Sequence, residues 1–92
     1  MLIDISSYSS FVKANIAEET NDPDLLEFLS KDVDRYVRQG VAYNTNTPPE
    51  TLERLANDED PWVREEVARN PNTPQYIKTY LKLRNFYTSC TK

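Results

Sequence analysis

The chain repeats itself. When residues 23–48 are laid over residues 49–74, a shift of 26, fourteen of 26 positions are identical. They are Pro23/Pro49, Leu26/Leu52, Glu27/Glu53, Leu29/Leu55, Asp32/Asp58, Asp34/Asp60, Val37/Val63, Arg38/Arg64, Val41/Val67, Ala42/Ala68, Asn44/Asn70, Asn46/Asn72, Thr47/Thr73 and Pro48/Pro74. A fixed period of this length marks a supersecondary unit that buries its apolar face by stacking on its neighbours. A third copy starts at Pro74 and keeps the apolar positions as Ile77 and Leu81. Upstream, Phe11 falls where Val37 and Val63 stand, which marks Tyr8 to Glu18 as a degenerate half-copy.

Each unit is predicted to form two short helices. Thr47-Pro48-Pro49-Glu50 looks like a helix start, with Thr as cap, Pro in the first turn and Glu completing a capping box. Asn21 or Asp22 before Pro23 does the same one unit earlier, and Thr73-Pro74 one unit later. The first helix presents Leu26 and Leu29, or Leu52 and Leu55, on one side. Asp60-Pro61 starts the second helix, whose Val63 and Val67 share a face as Val37 and Val41 do. Asn44 and Asn70 are expected to end it, because Asn tolerates the left-handed conformation that suits a helix terminus. Helices this short are marginal alone, so the units must stack as a solenoid.

"NTPPETLERLANDEDPWVREEVARNPNTP" resembles the leucine-rich repeat variant family, relatives of the HEAT-type helical repeats. The likeness is carried by Thr47, Pro48, Pro49, Glu50, Leu52, Leu55, Ala56, Asp58, Asp60, Val63, Arg64, Val67, Ala68, Asn70 and Pro71. It implies an all-α fold, a right-handed superhelix of alternating α- and 3-10-helical segments. The expected organisation is one domain of about two and a half 26-residue repeats. Residues 1–20 form an N-terminal cap or half-repeat, 21–46 and 47–72 are repeats, 73–88 form a partial repeat or capping helix, and 89–92 are a tail. Some members of the family bind an iron–sulfur centre through an N-terminal cysteine cluster. Such a cluster needs several thiolates, and Cys90 is the sole cysteine, so that function does not carry over. The motif is a scaffold signature and implies fold more than activity.

The residue inventory argues against an enzyme. There is no histidine, the commonest general base and metal ligand. Asp58-Glu59-Asp60 and Asp32-Val33-Asp34 lack the glycine and distal Glu of a calcium loop. The single glycine, Gly40, excludes nucleotide-binding glycine motifs. Ser6, Ser7, Ser9 and Ser10 have no neighbouring base to activate a nucleophile. No cofactor and no metal are expected. One cysteine allows no intrachain disulfide, no stretch approaches a membrane span, and the N-terminus lacks a secretion signal, so the expectation is a cytoplasmic protein without a membrane partner.

Arg38 and Arg64 recur at one period beside Asp32, Asp34, Asp58 and Asp60. One reading is an Asp–Arg network between repeats; the other is an arginine row aimed at phosphates or acidic partners. On the second helices, Tyr36, Gln39 and Tyr43 form a stripe beside the core valines, matched one repeat later by Trp62, Glu65 and Arg69. Such helices are expected to line the concave face, where aromatic residues beside arginine make binding hot spots. The alternative is that Tyr36 and Trp62 lie flat over the inter-repeat seam as packing. The C-terminal helix adds Tyr76, Tyr80, Arg84 and Tyr87 near helical spacing.

Residues 1–60 hold thirteen acids and five bases, a net −8, while residues 61–92 hold two acids and six bases, a net +4. This asymmetry suits a polar partner or head-to-tail self-association. The expected function is a non-enzymatic protein–protein interaction module, with Tyr36, Tyr43, Trp62, Arg69, Tyr80 and Arg84 as partner-binding candidates. The alternative is nucleic-acid binding through the basic, aromatic C-terminal half. A homo-oligomer is also compatible with open solenoid ends.

Overall fold

The computed structural model describes Ile5 and residues 7–90, the last six of these as backbone alone. Six α-helices follow in order: α1 (Ser10–Glu19), α2 (Pro23–Leu29), α3 (Arg35–Tyr43), α4 (Pro49–Leu55), α5 (Pro61–Arg69) and α6 (Gln75–Cys90). No strand occurs among the described residues. The helices α1, α3 and α5 lie side by side, and α6 packs on α5. The helices α2 and α4 bridge successive members of that row. This is a short helical-repeat solenoid, with one continuous core of Leu26, Leu29, Val37, Val41, Leu52, Leu55, Val63, Val67, Ile77 and Leu81. Truncating one of these leucines to alanine typically costs about 2–5 kcal/mol, because the packed seam cannot collapse around the hole.

Aspartates start the helices as expected. Asp22 accepts the N–H groups of Asp24 and Leu25 at 3.0 and 3.4 Å. Asp34 accepts from Tyr36 N–H, and Asp60 from Trp62 N–H, both at 2.8 Å. One turn earlier, Asp32 and Asp58 accept the N–H of Asp34 and Asp60 at 2.9 Å. Each Asp-x-Asp pair thus folds the corner with its first carboxylate and caps the next helix with its second.

The 3-10 character implied for alternate segments is confined to helix ends. Both α2 and α4 are α-helical over seven residues. They then tighten: Asp32 N–H donates to Leu29 O at 3.1 Å, and Asp58 N–H to Leu55 O at 3.0 Å. These i→i−3 bonds satisfy terminal carbonyls and turn the chain sharply before the next helix.

Four expectations are corrected. Asn44 and Asn70 are not left-handed caps; both sit at φ −70°, ψ 125°, and no described residue has positive φ. Their buried amides act as clamps instead. Asn70 Nδ2 donates to Ala42 O and Asn44 O at 2.8 and 2.9 Å, and Asn44 Nδ2 donates to Ala17 O and Thr20 O, both at 2.8 Å. Each satisfies two carbonyls at the end of the preceding helix, which would otherwise be buried without donors. Thr47 does not cap α4 either. Its hydroxyl donates back to Val41 O at 2.6 Å, Thr73 repeats the bond to Val67 O at 2.7 Å, and Pro48 stands at the N-cap of α4 without a side-chain bond.

The N-terminal helix does not keep the 26-residue offset expected of a half-copy. Thr20, not Glu18, occupies the C-cap position of Asn44, so the offset between α1 and α3 is 24 residues rather than 26. Ala17 then takes the place of Val41 and is fully buried, while Phe11 leaves the core and is 76% exposed. Finally, α6 continues to Cys90, past the expected helix end at 88. The Asp that turns the chain at 32 and 58 is replaced by Arg84 at the third position, so the corner has no side-chain acceptor to form it. Lys92, in the expected tail, and the Tyr87 side chain lie outside the described residues.

Candidate binding surface

The periodic arginines belong to the scaffold. Arg38 Nε and Nη2 grip the Asp58 carboxylate of the next repeat at 2.8 and 3.2 Å, and Nη1 donates to Asp32 O and Val33 O at 2.8 and 3.0 Å. Both partners are largely buried, and the two-pronged geometry fixes their register. One step earlier, Lys13 Nζ bonds Asp32 at 2.7 Å. One step later, Arg64 Nη1 donates to Asp58 O at 2.6 Å, repeating the inward bond of Arg38. Its Nε, however, is buried with no hydrogen-bond partner among the described residues, and Arg64 is only 8% exposed. The ladder of cations and acids is complete at one seam and half-made at the next.

The α2–α4–α6 side is joined by a second network. Thr51 Oγ1 donates to Glu27 at 2.7 Å, Arg54 pairs with Glu27 at 3.0 Å and also reaches the Ser30 hydroxyl. The Thr51 hydroxyl, followed by the Arg54 guanidinium, holds the Glu27 carboxyl below its ordinary range despite a countering cost of burial. From α6, Tyr76 donates to Glu53 of α4 at 3.3 Å and Tyr80 to Asn57, in the turn just after α4, at 2.6 Å.

The opposite side, formed by α1, α3 and α5, carries two adjoining clefts. The larger, about 640 Å³, is walled by Phe11, Tyr36 and Tyr43 and floored by Ala14 and Gly40. The second, about 460 Å³, runs over the turns at Thr45, Asn46 and Pro71 and includes Arg69. Glu18, Tyr43 and Glu66, one residue from each of α1, α3 and α5, line both. The floor is shallow because α3 lies close on α1. A Cβ at Gly40 would meet Ala14 O at 2.9 Å and the Ala17 Cβ at 3.1 Å. The only glycine of the chain therefore permits a close helix approach, and the exposed aromatics rise around it.

The six predicted binding residues do not form one site. Tyr36 and Tyr43, each 59% exposed, meet in the larger cleft, and Tyr43 and Arg69 meet in the second. Tyr36 is more than seam packing: its ring carries the Arg35 guanidinium 5.2 Å from its centroid, and Arg35 in turn bonds Asp60 at 3.2 Å. Trp62 is 61% exposed but lines neither cleft, and Tyr80 stands on the other side of the molecule against α4. Arg84 is half-buried on α6. Phe11, Glu18 and Glu66 were missed by the sequence pattern. One signal was present: Gly40 and Glu66 stand 26 apart at equivalent positions of α3 and α5, and the change from glycine to an acid marks where the surface stops repeating.

Among the described residues, no group of three or more His, Cys, Asp or Glu side chains is placed to hold a metal ion. No helix there is long and apolar enough to cross a membrane.

Residues 35–60 match the family model described as leucine rich repeat variant, a structural repeat. No curated protein and no solved structure matches the chain. The matched stretch begins at the first residue of α3 and ends at the cap of α5, so it spans one full period, from one second helix to the start of the next. The stacked helices and the repeating Asp, Arg and Asn contacts on either side of it agree with the similarity of residues 35–60 to a leucine rich repeat variant.

Proposed function

We propose that this helical-repeat module is a non-enzymatic protein-binding unit whose contact surface is the cleft side of α1, α3 and α5. The observation that carries the reading is the wall of Phe11, Tyr36 and Tyr43, held on packed helices around a concave floor and exposed to solvent. Large aromatic side chains on a rigid support bury much area at little entropic cost, and they are enriched where partners bind tightly. The periodic polar residues offer no competing surface, since Arg38, Asp58, Asn44 and Asn70 spend their bonds inside the array.

A benzophenone cross-linker placed at position 36 or 43 is expected to trap a discrete protein in extracts of the native host, and one at position 80 is not. Equal trapping at positions 43 and 80 would remove the assignment. Nucleic-acid binding by the C-terminal half has less support, because Tyr76 and Tyr80 turn their hydroxyls onto Glu53 and Asn57, next to an acidic surface that repels phosphate.

A further inference from the structure

The junction of the two clefts combines three features that point to a cation. Glu18 and Glu66 approach it from α1 and α5, and their carboxylates have no hydrogen bond or ion pair among the described residues. Elsewhere, many of the acids on the array have a cation. Asp32 has Lys13, Asp58 has Arg38, Asp60 has Arg35, Glu27 has Arg54 and Lys31, and Glu65 has Arg69 at 3.2 Å. Arg69 lines the second cleft but is neutralised by Glu65, so Glu18 and Glu66 leave the junction with net negative charge. The third feature is the Tyr43 ring between them in the chain of helices, exposed like Tyr36, which already carries a guanidinium on its face. A cation that enters gains two counter-ions and an aromatic face.

We propose that this junction takes a lysine or arginine side chain from a basic, extended segment of a separate protein. The cation sits against Tyr43 with Glu18 and Glu66 as counter-ions, and the flanking chain runs along the aromatic wall of Phe11 and Tyr36. The shape fits a chain better than a lone ion, because the clefts continue to both sides of the junction, apolar on one and polar over the turns on the other. The inference rests on the assignment of this side as the contact surface and adds the chemistry of what it contacts.

The test is fluorescence anisotropy of the full chain, at near-physiological salt, with three labelled nonapeptides: alternating Arg-Ser, alternating Lys-Ser and alternating Glu-Ser. The basic peptides are expected to bind and the acidic one is not. Glu18→Gln/Glu66→Gln is expected to weaken binding about tenfold. The control Glu19→Gln/Glu50→Gln, which removes the same charge from exposed positions outside the clefts, changes it by less than about twofold. Tyr43→Phe keeps affinity and Tyr43→Leu loses about fivefold, because an aromatic face rather than apolar area is needed. Circular dichroism confirms that each variant is folded.

Equal losses in the two double variants would reduce the effect to general attraction by an acidic chain and overturn the proposal. So would binding of the Glu-Ser peptide. A concentration-dependent dimer that Glu18→Gln/Glu66→Gln dissolves, with no peptide binding, would give the junction to the basic half of a second copy and overturn the separate partner. Failure of both basic peptides, with cross-linking at position 43 intact, would overturn the cation and leave the contact surface standing.

Discussion

Two seams of the array are built from the same parts and finished differently. Between the repeats headed by α3 and α5, Arg38 closes on Asp58 with two bonds and Asn70 clamps two carbonyls. Beyond α5, Arg64 makes the inward bond to Asp58 O and leaves Nε buried and unmatched among the described residues. The helices are alike in length and the valines alike in burial. The C-terminal unit diverges at most positions, and one of them, Asp58 against Arg84, takes away both the acid that an arginine would hold and the aspartate that turns the chain in the earlier units. The same aspartate is a hinge and a counter-ion, so losing it removes two functions at once.

The comparison breaks most visibly at the arginines. Arg38→Met is expected to cost about 3–5 kcal/mol, because it strands the buried Asp58 carboxylate without its cation. Arg64→Met, at the equivalent position, should stay within about 1 kcal/mol of the parent, since it removes a buried cation that is only partly satisfied. Urea unfolding of the two variants measures the contrast, and equal costs would mean that the half-made ladder at Arg64 is as well compensated as the complete one.

A second contrast, of intermediate size, lies in how closely neighbouring helices approach. Gly40→Ala drives a Cβ toward the Ala14 carbonyl and should cost about 1–3 kcal/mol, while Glu66→Ala at the equivalent position of α5 should change stability by no more than about 0.5 kcal/mol. Thermal unfolding checks this, and a neutral Gly40→Ala would show that α1 is free to shift outward.

The smallest effect concerns acid. At Asp34, the Ser10 hydroxyl first, with Tyr36 N–H, lowers the carboxyl from its ordinary value. At Asp60, burial raises it, but Trp62 N–H and the Arg35 guanidinium together outweigh burial and lower it. A carboxylate whose folded value is depressed contributes stability above its unfolded value, and that contribution is lost as pH falls through the folded one. Asn still caps a helix, so Asp60→Asn should keep α5 but flatten stability on the acid side of the ordinary carboxylate range. The difference near neutral pH is expected to be under about 1 kcal/mol, because Arg35 is half exposed. An unchanged acid slope would assign the acid sensitivity to other groups.

The core and the aspartate caps were legible because they depend on local spacing. Leu52, Leu55, Val63 and Val67 face inward wherever two helices repeat with this period, and Asp-x-Asp folds a corner with neighbours two or three residues away. Asn44, Asn70, Thr47 and Thr73 were misread because local grammar offered them capping roles, whereas the asparagine amides bond carbonyls 24 to 28 residues back and the threonines reach six residues back to a carbonyl in the helix just completed. Phe11 was misplaced by a two-residue change of offset that identity matching cannot detect without the Asn44 clamp. On the surface, Tyr36 and Tyr43 were found through helical spacing on a single helix. Glu18 and Glu66 were not, because their meeting point is made by three helices and appears on none of them alone.

The ladder also determines how such an array can grow. Residues 35–60 contain Arg38 near their start and Asp58 near their end, donor and acceptor within one unit. If that segment were duplicated in tandem, each copy would bring its own Arg–Asp pair, and the incomplete bond at Arg64 would stay with the last member. Concatenation therefore needs no newly evolved interface. It leaves one constant remainder among the described residues, a single buried guanidinium Nε without a partner, whatever the number of units between.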